Sequence, residues 1–547
     1  MSTTVLKERS PSSTDSALTG FGTMLRFASR RERVRMPAWI AALTLLTVST
    51  VAGFPDLYPT AESRQSRAAL MDSPAATAMS GPGFGLDNYT FGAMLANEML
   101  SFLAIFVALM SVLMVSRHTR HEEEQGRAEL IRAGVVGRHA NLSAALAVTV
   151  IANLLLAVVL TLVLSGMGIE TITWGGSALF AASLAMVGIV FTAASAVSAQ
   201  VFEHGRAASG MAGALIGVAF ALRAAGDMGN AALSWLSPIG WAQRTKVYVD
   251  GTAWPLLLGV VVAGVLVAVA FSLSTRRDVG AGLLRPRLGA ARASDALSTP
   301  LGFALRLHRG AVVGWTSALF LFGAMYGSLA SEVEAFVEDN PAMREFIRTM
   351  GSASFIQSWL ASIMAMLAMV CSVFGVLAIV RMRTEETSGR VEPVLSTALT
   401  RVRWVAGHLA VALGGGAVIM LAGGLGLGVS AMASTGESAL LPDLLSAALV
   451  YIPAVWLTTG LALALFGLLP SAVHATWVVL GYGLFIGMLG PLLRLPGWLN
   501  NLSPYSHVPQ LPAVDVEVTP LVLLTVVAAG LIALGFVGFR QRDLGSA

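Results

Sequence analysis

The chain is short of charge. Only 12% of its 547 residues are Asp, Glu, Lys or Arg, against about 25% in a soluble domain. That shortfall, with 55% hydrophobic residues and a mean hydropathy of +0.74, excludes an ordinary globular enzyme, a disordered protein and a nucleic-acid binder. Lysine is almost missing: Lys7 and Lys246 stand against 33 arginines. A phosphate-binding P-loop needs a lysine after its glycines, and neither lysine follows a Gly-rich loop. The chain therefore carries no P-loop ATPase of its own. Cysteine is limited to Cys371, inside an apolar run, so an intrachain disulfide or a thiolate metal cluster is excluded. The G-x-S-x-G and H-E-x-x-H patterns are missing too. No catalytic residue, metal site or cofactor is assigned to this chain.

Long apolar runs are what the chain has. Twelve can be placed, at about 20 residues per span. They are Pro37–Phe54, Phe91–Ser116, Leu142–Met167, Gly175–Ala199, Ala207–Leu222 and Trp254–Leu273, then Ala311–Ala330, Phe355–Val380, Val405–Met432, Leu444–Leu469, Thr476–Leu492 and Pro520–Phe539. The expectation is an all-α polytopic membrane protein with twelve transmembrane helices. Residues 1–20 are Ser/Thr-rich and read as a disordered tail. Phe21–Arg35 reads as a basic interfacial helix. A signal peptide is the alternative, but its polar region would be unusually long and no A-x-A site follows.

Charge orients the spans. With the N-terminus in the cytoplasm, 27 of the 35 basic residues face inward and 17 of the 31 acidic residues face outward. The positive-inside rule places both termini in the cytoplasm of a multi-pass plasma-membrane protein. The basic inner face suits anionic lipid, so the membrane itself is a partner and nucleic acid is not.

The sequence repeats internally. Arg120–Arg138 and Arg383–Arg401 share seven identical positions at a fixed offset of 263: Arg120/Arg383, Glu122/Glu385, Glu123/Glu386, Gly126/Gly389, Arg127/Arg390, Glu129/Glu392 and Arg138/Arg401. Gly22, Leu25 and Arg26 recur as Gly302, Leu305 and Arg306, Leu236-Ser-Pro238 as Leu502-Ser-Pro504, and Arg277-Asp278 as Arg542-Asp543. Six spans per copy give both copies the same orientation, as parallel six-helix repeats. The domains are thus a tail at 1–20, a first half at 21–275, a cytoplasmic linker at 276–300 and a second half at 301–547.

The best-matched segment is a cytoplasmic loop, not a span, which suggests contact with something in the cytoplasm. Glu122 and Glu123, like Glu385 and Glu386, suit the start of a short helix. Gly126 and Gly389 allow a tight bend, and Pro393 is tolerable in a first helical turn. Leu130 and Ile131, with Val394 and Leu395, offer an apolar knob. Arg127, Glu129 and Arg138 rim it, as do Arg390, Glu392 and Arg401. A solvated loop closed by its own Arg/Glu pairs is the other reading of these residues. His118, His121 and the following glutamates carry metal-ligand chemistry, but a charged loop accounts for them as well.

The pattern E-E-x-x-G-x-x-E-x-L followed by Arg resembles the coupling helix of exporter-type ABC permeases. More closely, the chain resembles actinobacterial permeases of the tetronasin or polyketide-antibiotic (multidrug) efflux type. The matching residues are Arg117-His-Thr-Arg120, Gly126-Arg-Ala-Glu-Leu-Ile131, Val136-Gly-Arg138, Ala140-Asn-Leu142, Phe220-Ala-Leu-Arg223, Gly226-Asp227, Leu236-Ser-Pro238, Gly240-Trp241 and Arg277-Asp-Val-Gly-Ala-Gly-Leu283. The likeness covers nearly the whole chain. The second copy departs from it at Pro393. The resemblance implies a separate ABC-type ATPase subunit, two copies of it, carrying ATP and Mg and docking on the two loops. It also implies outward transport of hydrophobic compounds. An ion-coupled multidrug antiporter and a lipid or peptide exporter remain alternatives, and a sensor or scaffold is disfavoured by the short outer loops.

Other candidates are weaker. Asn97 and Glu98 lie near the outer end of the second span, where Glu98 would meet a cationic substrate, sense protons or simply end the outer loop. Phe102 and Phe106 share its face, and Trp359 and Met366 stand at the corresponding level of the eighth span; they suit a promiscuous apolar pathway or plain packing. Arg223 and Asp227 are four apart, on one helical face, as an outer gate or brace. The G-x-x-x-G pairs Gly213/Gly217, Gly424/Gly428 and Gly483/Gly487 suggest close helix packing.

Overall fold

The computed structural model describes residues 17–229, 231–278, 280–284, 291–331, 333–334, 355–493 and 497–543. Most of the expected tail, residues 285–290 of the expected linker, the side chain of Ile131 and the surroundings of Gly487 lie outside the described residues. The described residues fold as helices and turns, in two compact units, Met1–Leu288 and Gly289–Ala547. Eleven helices among them are long and apolar enough to cross a membrane. The expected span 476–492 forms an 18-residue helix, Thr476–Leu493. Only its portion up to Ile486 is fully described, so it stands as a shorter apolar helix.

The first unit contains α1 (Phe21–Arg31), α2 (Arg35–Leu57), α3 (Ala61–Met71), α4 (Pro74–Ser80), α5 (Phe91–His118), α6 (Arg120–Glu124), α7 (Arg127–Arg132), α8 (Ala140–Gly166), α9 (Trp174–Val201), α10 (Gly205–Met228), α11 (Ala231–Ser234), α12 (Pro238–Gln243) and α13 (Pro255–Ser274). Threonine hydroxyls start the long helices: Thr90 accepts from the Ala93 amide (3.2 Å) and Thr173 from the Gly176 amide (3.2 Å). Helix α9 is the centre of the unit, packed by α5, α8 and α13. Its inner face is rich in small residues. Gly188 leaves no space for a Cβ beside Asn153, whose amide donates to Ser111 Oγ (3.0 Å) and to the Thr149 carbonyl (2.9 Å). A buried polar side chain in an apolar bundle is tolerable only when satisfied in this way.

The second unit contains α14 (Pro300–Gly327), α15 (Phe355–Thr387), α16 (Val391–Leu395), α17 (Arg401–Thr435), α18 (Leu440–Leu468), α19 (Thr476–Leu493), α20 (Gly497–Asn500) and α21 (Val518–Gln541). Thr299 and Thr400 cap α14 and α17, and Gly436 closes α17 in the left-handed region, φ +78°. Helix α18 is central, packed by α15, α17 and α21. Glycine sets the spacing between α14 and α17: a Cβ on Gly323 would meet the main chain of Gly423, and one on Gly426 that of Phe320. Gly424 and Gly428 lie against α18, at Ala448 and Leu441, as close packing requires. Gly213 and Gly217 do not serve this purpose in the first unit, because each faces open space.

The expected basic helix Phe21–Arg35 is shorter than its charge pattern suggested. It ends at Arg31, and α2 starts afresh at Arg35. The buried Glu32 sits at the break.

Candidate functional site

The charged loop of the first unit opens where α5 ends. Thr119 turns its hydroxyl onto the Val115 carbonyl (2.7 Å), and α6 follows. Glu123 is clamped from two sides. Arg277, just past the end of α13, donates to both of its oxygens (2.7 and 3.0 Å), and Arg120 adds a third bond (2.9 Å). Arg120 is fully buried and also donates to the carbonyls of Ala199 and Ala281, while Arg277 Nε donates to Gln200 Oε1 (2.7 Å). The loop is thus pinned to the ends of α9 and α13. Glu122, also buried, accepts from Arg127 (2.9 and 3.1 Å) and from Arg31 of α1. Glu124 accepts from the Gly205 amide at the start of α10 (2.8 Å). Arg138 donates to the Thr275 carbonyl. Three neighbouring carboxylates therefore hold three different elements.

The loop of the second unit uses the same positions. Glu386 is gripped by both nitrogens of Arg542, just past the end of α21 (2.5 and 2.8 Å), with Arg383 at 3.4 Å. Glu385 faces Arg390 (3.4 Å) and Arg381 (3.9 Å). Arg401 donates to the Arg542 carbonyl (2.7 Å). Arg542 also lies over the rings of Phe466 (5.1 Å) and Phe539 (4.9 Å), which adds cation–π attraction to the ion pair. The expected helix-starting role of the glutamates holds for Glu122 and Glu123 only in position. Their counterparts sit in the last turn of α15, which runs unbroken to Thr387. Carboxylates oppose the dipole there, and arginine pairing offsets the cost.

Both loops turn at glycine, with φ +69° at Gly126 and +68° at Gly389, a conformation other residues adopt at a cost. Pro393 falls in the first turn of α16. Beyond the turns the two surfaces differ. Glu129, Leu130 and Glu392 are exposed, Leu130 at 77%. Val394 and Leu395 are half-buried and pack on the core of their unit. Beyond the turns, Glu129, Leu130 and Val135 are thus exposed on one loop, with Arg127 half-buried against Glu122, and Arg390 and Glu392 on the other.

The remaining candidates are mostly engaged. Asn97 exchanges two hydrogen bonds with the Phe84 main chain (3.2 and 2.9 Å). Glu98 is held by Arg67 of α3 through two bonds of 3.0 Å. Burial alone would lower the Arg67 pKa, but the Glu98 carboxylate more than offsets this and holds it above its ordinary value. Arg223 and Asp227 are paired (3.7 Å), with Arg244 at 3.8 Å on the other side. Arg223 also donates to the carbonyls of Thr77 (3.0 Å) and Met79 (2.8 Å), binding α10 to α4. Phe102, Trp359 and Met366 are half-buried, and Phe106 is exposed. Ser237 caps α12, placing the first Leu-Ser-Pro element in a short helix, whereas the second forms a 3-10 turn at Pro504–His507.

Sequence reasoning did not place Arg31, Glu32, Arg67, Arg277 and Arg542 in these clusters. For Arg277 and Arg542 a signal existed, since Arg-Asp recurs after the last apolar run of each copy. Their partners lie 154 and 156 residues away, a distance that pattern alone does not bridge. Glu32 accepts from Arg117 (2.7 Å) and lies 2.9 Å from His118 Nε2. Burial pushes its carboxyl up, but the hydrogen bonds and charge of His118 and Arg117 outweigh this and hold it at about 2.

A description of known proteins, "Multidrug efflux system permease Rv1217c, C-terminal domain", matches residues 21–273 and 297–540. The chain is 38% identical to the "Multidrug efflux system permease protein Rv1217c" of Mycobacterium tuberculosis (strain ATCC 25618 / H37Rv), over 553 residues that take in all of both chains. With these matches and its apolar helices, the chain belongs to the Rv1217c family of multidrug efflux permeases, multi-pass proteins of the membrane.

Proposed function

We propose that this chain is the transmembrane permease of an ATP-driven ABC exporter, and that it moves hydrophobic drugs or antibiotics out of the cell. A separate ABC-type ATPase, in two copies carrying ATP and Mg, docks on Glu122–Arg138 and Glu385–Arg401. The observation that carries the reading is the recurrence of one clamp. In each loop the second glutamate is pinned to an arginine just past the last long helix (Glu123–Arg277, Glu386–Arg542), while charged residues after the glycine turn, Glu129 on one loop and Arg390 and Glu392 on the other, are exposed. A push on such a loop reaches the helix ends directly, because charge-assisted bonds and not flexible chain connect them. The packing order supports two parallel six-helix repeats with α19 as the eleventh of twelve spans: the fourth long helix of each unit is packed by the second, third and sixth. The basic ends then lie in the cytoplasm with both termini. Phe102, Phe106, Trp359 and Met366 are the proposed apolar pathway, and Arg223–Asp227 the outer brace.

An ion-coupled antiporter is less well supported. Glu98, the carboxylate it would use, is neutralised by Arg67. The resemblance to tetronasin and polyketide exporters is the reason to try such antibiotics first.

The test is co-purification of the full chain with candidate ABC ATPases, together with ATP-dependent efflux from vesicles. The triple variant Glu129→Lys/Leu130→Asp/Glu392→Lys should lose both while keeping its melting temperature. Undiminished assembly and transport would reject the docking loops. Efflux that survives ATP depletion and collapses with the proton gradient would favour the antiporter.

A further inference from the structure

Helix α1 has two faces with different partners. Its last residue and the segment leading into it grip the first charged loop at both of its ends. Arg31 pairs with Glu122 at the start of the loop. At the other end the Gly137 amide donates to the Thr19 carbonyl and the His139 amide to the Ala17 carbonyl, both at 2.8 Å. Glu32, at the α1–α2 break, is fully buried against Arg117 and His118 of α5. The opposite side of α1 is exposed at Arg26, Phe27 and Arg30, and the turn that follows exposes Arg33, Val34 and, at the first position of α2, Arg35. None of these four arginines has an ion-pair partner among the described residues. Covalent continuity fixes their depth, because α2, an apolar span, begins at Arg35. Arginines flanking exposed Phe27 and Val34 at the mouth of a span have the chemistry of a membrane interface, with rings and methyls in the acyl boundary and guanidinium groups at the phosphates.

We propose that this face is a binding site for the phosphate headgroups of anionic phospholipid, and that the lipid it holds keeps the first charged loop in its clamped form through Arg31–Glu122. Charge complementarity favours lipid phosphate, since four cations without an ion-pair partner among the described residues line one short segment next to the membrane. Without anionic lipid, α1 and the turn into α2 carry four uncompensated charges at a neutral interface, and the hold of residues 17–31 on Glu122 and on residues 137–139 loosens. The second loop is not strapped in this way. Its Glu385 pairs within its own loop and helix, and α14 runs unbroken through the region corresponding to the α1–α2 break. The lipid site does not depend on ATPase docking. Its consequence for transport rests on that reading.

Hydrogen exchange of the full chain in nanodiscs tests both parts. The discs contain phosphatidylcholine alone or with phosphatidylglycerol, and no ATPase is present, so failure here is separable from failure of the docking proposal. Phosphatidylglycerol is expected to slow exchange in Phe21–Arg31 and in residues 120–139, and to leave residues 383–401 unchanged. Arg26→Gln/Arg30→Gln/Arg33→Gln/Arg35→Gln should abolish that dependence and weaken retention of phosphatidylglycerol by roughly fivefold per arginine. These side chains are exposed, and unchanged exchange in the second unit verifies the fold. Arg31→Gln should keep the effect in α1 and lose it in the loop. A lipid effect that persists in the quadruple variant, or an equal effect in both loops, overturns the proposal. Protection that appears only on adding an ATPase would assign the arginines to a protein partner and overturn it as well.

Discussion

The two charged loops share seven residues and one clamp, yet they are held by different neighbours. In the first, Arg120 and Glu122 are buried, Glu123 is half-buried, and α1 lies across the loop as a strap. In the second, Arg542 lies against the stacked rings of Phe466 and Phe539, and the apolar residues after the turn pack onto the core. The first loop is thus fixed by charge and keeps its apolar residue Leu130 outside. The second is fixed partly by apolar packing. Identical motif residues do not imply an identical surface, because the residues that are not repeated decide what remains exposed.

The deepest clamp should be the hardest to lose. Arg277→Ala leaves Glu123 with one partner in a largely buried position, and breaking such a pair costs about 3–5 kcal/mol. Arg542→Ala removes an arginine that is more exposed than Arg277 (17% against 9%) and leaves Arg383 3.4 Å from Glu386, so about 2–3 kcal/mol is expected. Thermal melting of the detergent-purified chain, with limited proteolysis to show which unit opens first, measures both. Equal losses in the two units would break the contrast drawn between the loops.

Glu32 offers a comparison by pH. Its carboxyl is held at about 2, below the ordinary value of 4.5. A depressed carboxylate contributes stability that is present above 4.5 and is lost as pH falls toward 2. The contribution is about 1–3 kcal/mol. At the offset that aligns Gly22 with Gly302, the second unit has Val312, half-buried within an unbroken α14. Relative to the intrinsic exchange rate at each pH, exchange at α1 should therefore rise as pH falls from 4.5 to 2 while that at α14 over the same positions stays level. Glu32→Gln should remove the pH dependence, and a dependence that survives the substitution would reject Glu32 as its source.

A smaller and symmetric effect is expected at the turns. Gly126 and Gly389 have positive φ and open space where a Cβ would stand. Alanine at either position costs only backbone strain, about 1 kcal/mol. Melting temperatures of Gly126→Ala and Gly389→Ala should fall equally, and a clear difference would mean that one turn is not free.

How much of this was legible beforehand depends on the range of the physics involved. The spans were legible because a bilayer forces long uninterrupted apolar runs, and α5, α9 and α18 lie where those runs are. The glycine turns and the Arg223–Asp227 pair were legible because both are local. The clamp was only half legible: Glu123 and Arg277 each belonged to a matched motif, but their meeting depends on how α9 and α13 pack. Glu98 was misleading in isolation, since its partner Arg67 comes from an outer helix whose position no local pattern fixes. The break after Arg31 was missed because basic residues continue on both sides of it, and the reason for it is a buried carboxylate with partners on α5.

The last comparison separates docking from stability. Leu130→Asp places a charge on a side chain that is already exposed, so the melting temperature should move by less than about 0.5 kcal/mol of stability. Val394→Asp buries part of a charge against the core of the second unit and should cost about 1–3 kcal/mol. If an ATPase docks on the first loop, Leu130→Asp weakens its co-purification even though the permease melts normally, because the knob that meets the partner is lost and nothing else is. If Leu130→Asp changes neither property, the exposed leucine has no partner there. The docking surface would then be restricted to the charged rim of Arg127, Glu129, Arg390 and Glu392, which the two loops share.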